Sequence, residues 1–319
     1  MRTGLSGDIS RSALQEVWFQ PMGFSLRLLT NHPTILAVAE ASFGGFGPAQ
    51  PVTSPDFTLR LCAHDRAENP LREPVFRAQG GRIYQTTGHA STLVVDREQG
   101  LAWGSFSPTV LAQSAFFRYH FFELAFYSLL SPRGLMAVHA AACVKNGRAL
   151  LLRAPSGGGK TTLVYYASTQ RRFQALAEDV VWIDINHHLW WGLPWWCHLR
   201  SDAHRLFPEL VLLEPVLEIQ GERRLAVQLE TIRPGSTVVS ARPGPVVLLR
   251  RSPGGPSRLT PLTCTEAKAL WYERWSGTET EFADYDRYVH DLLSHHTYRL
   301  DFGDDIERSL ELLESLCEA

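Results

Sequence analysis

The chain has 319 residues, a formal net charge of −2 and 45% hydrophobic residues. This length allows a sizeable core and two domains, or one large domain with an appended lobe. The nearly balanced charge gives no electrostatic reason to expect nucleic acid or a membrane as partner, so partners must be inferred from sites.

The five cysteines stand singly, without a Cys-x-x-Cys pair. This pattern is typical of buried or inert thiols in a reducing compartment. The first residues contain no apolar segment of the signal-peptide kind, and the apolar stretch 115–130 is interrupted by Arg118, His120 and Glu123. We therefore expect a soluble, cytoplasmic protein.

Residues 1–107 are predicted to form a strand-rich α+β lobe. Alternating or apolar runs at 24–29, 57–62 and 92–96 predict strands separated by Gly/Pro clusters, and residues 34–41 fit either a strand or a helix. This lobe shows no catalytic pattern. It is expected to serve substrate docking, dimerisation or scaffolding.

Residues 108–132 are predicted to form a helix that bridges the first lobe to a second one at 133–319. Apolar residues recur at helical intervals from 108 to 130, and the turn residues 131–134 end the pattern. The aromatic stripe of this helix is expected to pack in a core rather than to bind a ligand.

Two apolar runs, 136–144 and 149–153, flank the pair Asn146-Gly147. An Asn-Gly pair between such runs predicts a tight β-hairpin. Because the second run leads into a glycine-rich loop, the loop's strand would have an antiparallel neighbour. The sequence therefore predicts a mixed sheet, unlike the parallel sheet of most P-loop proteins.

The glycine-rich stretch from Ala154 to Thr161 reads APSGGGKT and matches the relaxed phosphate-loop pattern [GA]-x-x-x-x-G-K-[ST]. Glycines let several backbone N–H groups point at one anion, and the helix that follows presents its positive end. Lys160 can reach the β- and γ-phosphates of a nucleotide, while the Thr161 hydroxyl can ligate Mg²⁺. A nucleotide site is predicted, the alternative being a glycine-rich turn with a chance lysine.

Two adjacent carboxylates, Glu178 and Asp179, follow Lys160 after 18 and 19 residues. This spacing accommodates a helix and a short return strand, which would place the pair beside the γ-phosphate. Phosphoryl transfer needs one carboxylate to hold the metal and another to accept the proton of the attacking hydroxyl. The alternative is a solvated acidic turn.

The ordered set of His139 in VHAAA, the hairpin, SGGGKTTL and ALAEDVVWI resembles the catalytic lobe of the HPr kinase/phosphorylase family. The family includes HPr-kinase-like proteins of peptide-modification gene clusters. The resemblance covers residues 133–260 well and the remainder loosely. It implies an α/β, mixed-sheet P-loop kinase lobe related to phosphoenolpyruvate carboxykinase, and a serine kinase that uses ATP and Mg²⁺.

The resemblance also implies site residues. Mg²⁺ would bind Thr161 and Asp179, and His139 would lie near the phosphates unless it is a core residue of its strand. Glu178 stands where the family has its catalytic aspartate, and either it or Asp179 can be the base. The implied catalytic set is His139, Lys160, Glu178 and Asp179, and the implied ATP-binding set is Ser156, Gly157, Gly158, Gly159, Lys160, Thr161 and Thr162.

Downstream of the acidic pair, authentic HPr kinase/phosphorylases carry a glycine- and asparagine-containing segment that this sequence lacks. In its place stands a tryptophan-rich segment, 190–198. HPr is therefore not the expected acceptor. The tryptophans can form a wall for a peptide or pack in the core, and the nearby histidines lack the spacing of zinc ligands.

The rest of the chain is predicted to hold strands at 223–229 and 245–251, followed by helices at 265–275, 281–290 and 304–316 that cover the sheet. Four arginines are candidates for stabilising a transferring phosphoryl group, with a surface role as the alternative: Arg200, Arg205, Arg223 and Arg224.

Together these features predict an ATP- and Mg²⁺-dependent kinase that phosphorylates a hydroxyl group of a peptide or small protein. The hydroxyl would belong to a serine or to the C-terminal residue. A kinase for a small molecule such as an amino acid is a close variant, and a non-catalytic ATP-binding switch or partner protein is the alternative of another class. No nucleic-acid or membrane partner is expected, and a homo-oligomer is compatible with the sequence.

Overall fold

A computed structural model describes residues 14–69, 73–170, 172–219, 221–273 and 285–318. The chain divides into two compact units. The first takes the described residues up to Leu129 and those of 217–221, and the second takes the described residues of 130–216 and 222–319. The fold is α/β with mixed sheets. Within the described ranges, no helix is long and apolar enough to cross a bilayer.

The first unit is built on one mixed sheet, for which the described residues give the seven-strand order β1-β2-β3-β7-β6-β5-β4. β2, β3 and β7 run parallel, and the outer pairs run antiparallel. The elements are β1 (Gln15–Phe19), β2 (Leu26–Thr30), α1 (Pro33–Phe43), β3 (Phe57–Ala63), β4 (Val75–Gln79), β5 (Arg82–Thr87), β6 (Ser91–Asp96) and β7 (Leu101–Phe106). The predicted strands thus correspond to β2, β3 and β6.

Residues 34–41, which fitted either a strand or a helix, lie in α1. The His32 side chain caps this helix by accepting a hydrogen bond from the Thr34 N–H, and Pro33 at the first helical position presets its backbone. These local signals favour the helix.

The segment after β7 is helical but interrupted. Ser107 caps its start by accepting a hydrogen bond from the Val110 N–H. The path then runs through α2 (Pro108–Ala112), α3 (Ser114–Phe117), a π-helical stretch (Arg118–Glu123) and α4 (Leu124–Leu130). Its aromatic rings pack in the core, as predicted, and through Leu129 it is grouped with the first unit. The domain limits at 107 and 132 stay a prediction.

The second unit carries the glycine-rich loop. Its strands are β8 (Leu135–His139), β9 (Ala141–Lys145), β10 (Arg148–Arg153), β11 (Gln174–Ala177), β12 (Val180–Asp184), β13 (Leu189–Trp191), β14 (Trp196–Arg200), β16 (Glu222–Gln228), β17 (Ser240–Ala241), β18 (Val246–Arg251), β19 (Arg258–Pro261) and β20 (Thr297–Phe302), with β15 (Leu217–Ile219) grouped with the first unit. Its helices are α5 (Lys160–Thr169), α6 (Leu229–Ile232), α7 (Cys264–Tyr272), α8 (Tyr285–Leu293) and α9 (Ile306–Ser315).

The hairpin before the loop forms as predicted. Lys145 pairs with Arg148, and Asn146 and Gly147 both have positive φ, 55° and 74°, as the tightest hairpin turns require. The run 136–144, however, is not one strand. It divides at Ala140 into β8 and β9, which belong to different sheets.

The loop's strand, β10, lies inside a mixed sheet. Among the described residues this sheet has six strands in the order β11-β9-β10-β18-β20-β19. β10 pairs antiparallel with β9 and parallel with β18, and β18 pairs parallel with β20. The mixed sheet predicted from the hairpin is therefore present.

Both faces of this sheet are covered, so β10 is continuously apolar between its terminal arginines, over residues 149–152. Leu150 and Leu152 pack on one face with residues of α5 and α9, whereas Ala149 and Leu151 pack on the other with residues of α7 and α8. A second sheet, β17-β13-β12-β8 in the described residues, contributes to that other face. The predicted helix at 281–290 begins partly outside the described residues, and α8 is its described part.

Candidate active site

The site lies where two segments of the chain leave one sheet and enter the other. β8 ends at His139 in the four-stranded sheet, and β9 begins at Ala141 in the six-stranded sheet. β11 and β12 make the same passage around Glu178 and Asp179. Because Ala177 pairs with Ala142 and Val180 pairs with His139, the two passages lie side by side. We call this place the seam, residues 139–141 and 177–180.

The glycine-rich loop leaves no room for side chains at two positions. A Cβ on Gly158 would lie 2.5 Å from the Cβ of Ala154, and a Cβ on Gly159 would lie 2.6 Å from the ring of Phe302. Gly159 also has φ of 94° and immediately precedes α5. The loop is thus a bare-backbone cradle at a helix N-terminus, which is the arrangement that binds phosphate.

Lys160 connects the loop to the seam. Its side chain is buried, and Nζ donates to the carbonyl oxygen of Ala154 at 2.8 Å and lies 3.3 Å from Nε2 of His139. On the other side of the imidazole, Nδ1 lies 3.2 Å from Oδ1 of Asp179. An ammonium group can only donate, so Nε2 accepts and the Nδ1 proton points to Asp179. His139 is therefore oriented by its two neighbours and is not a buried core histidine.

Glu178 makes a different set of contacts. Its Oε2 accepts a hydrogen bond from the Thr161 hydroxyl at 2.9 Å, and its Oε1 lies 2.5 Å from Nδ1 of His198. The His198 backbone N–H also donates to Oε1, at 3.3 Å. Only 11% of the Glu178 side chain is exposed, against 44% for Asp179. The less exposed acid, Glu178, therefore contacts the loop threonine and His198, and the more exposed acid, Asp179, contacts His139.

The two acids differ in pKa as well. Burial acts to raise the pKa of Glu178, but the hydrogen bonds and charge of His198, with the Thr161 bond, hold that pKa below its usual range. Desolvation, followed by the negative charge of Glu178, raises the pKa of Asp179 against the effect of His139 and Lys160. Glu178 therefore stays ionised to lower pH than Asp179, and Asp179 takes up a proton more readily.

The arrangement differs from the expected one in one respect. The sequence paired Thr161 with Asp179 as metal ligands, whereas the described contacts bring Thr161 to Glu178 and bring Asp179 to His139. His198 was considered only as a doubtful metal ligand. No sequence signal marked its contact with Glu178, because that contact depends on β14 packing beside α5.

A cavity of about 350 Å³ opens beside the loop. His139 and the loop line it, together with the ends of β10, β18 and α7 and with Arg299 of β20. Its polar and aromatic lining outside the loop is His139, Arg153, Arg250, Arg251, Trp271, Glu273 and Arg299. Within the described residues, the cations that line it are arginines that sequence reasoning did not single out.

The position of these arginines follows a general rule. Ligands of α/β sheets bind at the carboxyl ends of parallel strands, and Arg153 ends β10 while Arg250 and Arg251 end its parallel neighbour β18. The sequence shows that these arginines end apolar runs, but the rule can be applied only when the parallel pairing of β10 with β18 is known. Of the arginines proposed from sequence, Arg200 and Arg224 instead pair with Glu222.

The four predicted arginines are absent from the described lining of the cavity. The tryptophan-rich segment is divided between core and partial exposure. Trp190 is 1% exposed and pairs with Ala241, so it is a core residue, while the other three tryptophans of the segment are half-buried. In the described parts of the chain, no group of three or more His, Cys, Asp or Glu side chains is arranged to hold a metal ion.

No family model matches this sequence, and no curated protein matches it. Among solved structures, the chain is similar to the Hpr(Ser) kinase/phosphatase from Coxiella burnetii, with a TM-score of 0.30 and 11% sequence identity. The similarity covers 57% of this chain and 93% of that one. Function must therefore be inferred from the residues of the site itself.

Proposed function

We propose that the protein is an ATP- and Mg²⁺-dependent kinase that phosphorylates a hydroxyl group, that of a serine or C-terminal residue of a peptide or small protein. The observation that carries the proposal is the pair of links between loop and acids. Thr161 contacts Glu178 directly, and Lys160 is joined to Asp179 through His139. A chance glycine-rich turn would not be expected to bring one acid to Thr161 and to link the other to Lys160 through His139.

The loop fits a nucleotide. Gly158 and Gly159 let the loop backbone pack closely against Ala154 and the Phe302 ring, with which a Cβ at either position would collide. Lys160 is held with its ammonium group at the carbonyl end of β10, from which it can neutralise phosphate charge. Ser156, Gly157 and Thr162 complete the ATP-binding set proposed from sequence.

Glu178 and Thr161 are the oxygen groups that fit the metal. Both are close to the loop, and Glu178 is ionised because His198 stabilises its charge. When bound, Mg²⁺ would offset the charge of the phosphate oxygens, and hard oxygen ligands of this kind are the ones it prefers. This assignment differs from the one expected from sequence, in which Asp179 is the metal ligand and the base is left open between the two acids.

Asp179 is the proposed base. It would accept the proton of the acceptor hydroxyl while the hydroxyl oxygen bonds to the γ-phosphorus and the bond to the β,γ-bridging oxygen breaks, which releases ADP. A raised pKa suits this task because the base must hold the proton it takes. His139 donates from Nδ1 to Asp179 and so fixes the direction of the other carboxylate lone pairs.

The test uses labelled ATP and a panel of serine-containing peptides and free serine. Asp179→Asn should lower kcat by about a hundredfold or more with little change in nucleotide affinity, since a base contributes about 10²- to 10⁴-fold. Lys160→Ala should weaken nucleotide binding, and Glu178→Gln should raise the Mg²⁺ requirement. Asp202→Asn, an exposed acid, is the matched control.

The outcomes separate the candidate functions. Nucleotide binding without transfer to any acceptor would instead support a non-catalytic switch, and the absence of nucleotide binding would refute both. If Glu178→Gln abolished transfer at saturating Mg²⁺ while Asp179→Asn retained it, the two acids would have the roles expected from sequence.

A small-molecule acceptor is the second candidate, and the cavity favours it. About 350 Å³ lies at the lower end of the range for small-ligand sites, so it admits an amino acid or a chain end more readily than a folded protein surface. Transfer to free serine but to no peptide would support this variant.

A further inference from the structure

Two kinds of group line the cavity beside the loop. One is His139, which contacts both Lys160 and the proposed base. The other is the set of guanidinium groups at the ends of β10 and β18 and on β20, which we call the arginine side. A molecule that fills the cavity would therefore meet both a neighbour of the phosphoryl-transfer residues and the arginines.

The arginines are held in place before any ligand binds. The guanidinium of Arg153 stacks over the ring of Trp271 at 4.0 Å and donates to the carbonyl oxygens of His139 and Trp271. Arg250 and Arg299 share one carboxylate, that of Asp301, at 2.6 and 3.3 Å. Preorganised guanidinium groups bind carboxylates well because little side-chain entropy remains to be lost.

Guanidinium groups dominate the arginine side of the lining. Four of them line the cavity, and among the described residues the lining carboxylate is that of Glu273. Asp301 pairs with both Arg250 and Arg299, so its single negative charge is shared between two guanidinium groups. A carboxylate of a ligand would add a second negative charge to this pair.

The nucleotide does not explain this side of the cavity. The loop glycines and Lys160 already form a phosphate site at the start of α5. Trp271 is 1% exposed and covered by Arg153, so it offers no aromatic face to a nucleobase. The arginine side therefore suits a group of the second substrate.

We propose that this cavity is the acceptor subsite and that its arginines, Arg250 and Arg299 in particular, bind a carboxylate of the acceptor. This inference rests on the proposed kinase function and narrows its substrate class to hydroxyl compounds that carry a carboxylate near the hydroxyl. Such a carboxylate can belong to a free amino acid or to the C-terminus of a peptide.

The experiment compares acids with their amides. Protein loaded with Mg²⁺ and a non-hydrolysable ATP analogue is titrated calorimetrically with L-serine, L-serinamide, acetyl-glycyl-glycyl-serine and the C-terminal amide of that peptide. At least one acid should bind about tenfold to a hundredfold more tightly than its amide, as expected for a charge-assisted hydrogen bond. Which acid does so identifies the source of the carboxylate.

Three variants test the residues. Arg250→Gln and Arg299→Gln should each reduce the preference for the acid to less than about threefold, and Arg250→Lys should keep part of it because the charge remains. Arg308→Gln, on α9 where Arg308 pairs with Glu311 outside the described lining of the cavity, should keep all of it. Circular dichroism and binding of a fluorescent ATP analogue verify that each variant is folded.

The results separate this inference from the kinase proposal. If the wild-type protein binds no ATP analogue, the proposed function fails. If it binds the analogue but treats acids and amides alike, or binds neither acid, the acceptor inference alone is overturned. Weaker binding of the ATP analogue to Arg250→Gln and Arg299→Gln, with an unchanged preference for the acid, would assign the arginines to the nucleotide and would also overturn it.

Discussion

Replacing Gly159 with alanine should damage the loop more than a similar change two residues earlier. At φ of 94° an L-residue costs about 1–2 kcal/mol. The added Cβ would also lie 2.6 Å from the ring of Phe302, which is 3% exposed and covered by Arg251 at 4.6 Å. Forcing that ring to move costs about 1–3 kcal/mol. Gly159→Ala should therefore destabilise the protein by about 2–5 kcal/mol.

Gly157→Ala is the matched control. Gly157 also has positive φ, 76°, but its added Cβ would meet no atom within 4 Å, so only the backbone cost of about 1–2 kcal/mol applies. Urea unfolding followed by tryptophan fluorescence gives the apparent midpoints of both variants. Titration with a fluorescent ATP analogue then reports whether the loop still binds phosphate, and Gly159→Ala should weaken that binding more strongly.

Equal destabilisation of the two variants would refute the steric part of this reasoning. A second measurement isolates it further. In the background Phe302→Ala the ring is absent, so Gly159→Ala should cost no more there than Gly157→Ala does in the wild type. A cost that stays the same with and without the ring would mean that the loop does not approach Phe302.

Three further predictions concern titration. The pKa of Glu178 is lowered in the fold, so the stability that this carboxylate contributes should be lost as pH falls through that pKa. The pKa of Asp179 is raised in the fold, so this group lowers the stability of the protein as pH rises from its unfolded-state pKa to its folded-state pKa. In thermal midpoints measured against pH, Glu178→Gln should therefore flatten the acid limb, and Asp179→Asn should raise the midpoint near neutrality. An acid limb unchanged by Glu178→Gln would contradict this. Burial, followed by the charge of Glu178, raises the pKa of Cys197, so Ellman's reagent should label this thiol only after unfolding. A hydrogen bond to Glu307 raises the pKa of Tyr166 to about 12, so an ultraviolet titration should lose a late phenolate step in Tyr166→Phe, provided that the fold survives at that pH.

Local signals in the sequence were sufficient for the parts of the site that depend on short stretches of chain. The Asn146-Gly147 turn, the glycine-rich loop and the helix that starts at Lys160 all form as predicted, because their conformations are set by residues next to each other. The spacing of 18 and 19 residues fits a helix and a short strand, and Glu178 lies within hydrogen-bond distance of Thr161 in the loop.

Contacts between distant segments could not be predicted in this way. His198 contacts Glu178 only because β14 packs beside α5, and no residue type in either segment marks that packing. The division of 136–144 at Ala140 has no local signal either, because alanine neither breaks a strand nor turns it. Arg153, Arg250 and Arg251 were visible in the sequence as strand ends, but the parallel pairing of β10 with β18 was needed to bring them together.

The seam divides the proposed catalytic groups between two sheets. Lys160 and Thr161 follow the six-stranded sheet, whereas His139 and, next to it, Asp179 border the four-stranded sheet through the pairing of β8 with β12. Contacts that join the two groups include those of Lys160 with His139, of Thr161 with Glu178 and of Arg153 with the carbonyl oxygen of His139. The two sheets also share one hydrophobic core. The reach of the proposed base therefore depends on the packing between the sheets, and a substitution in that core can change it without touching either group.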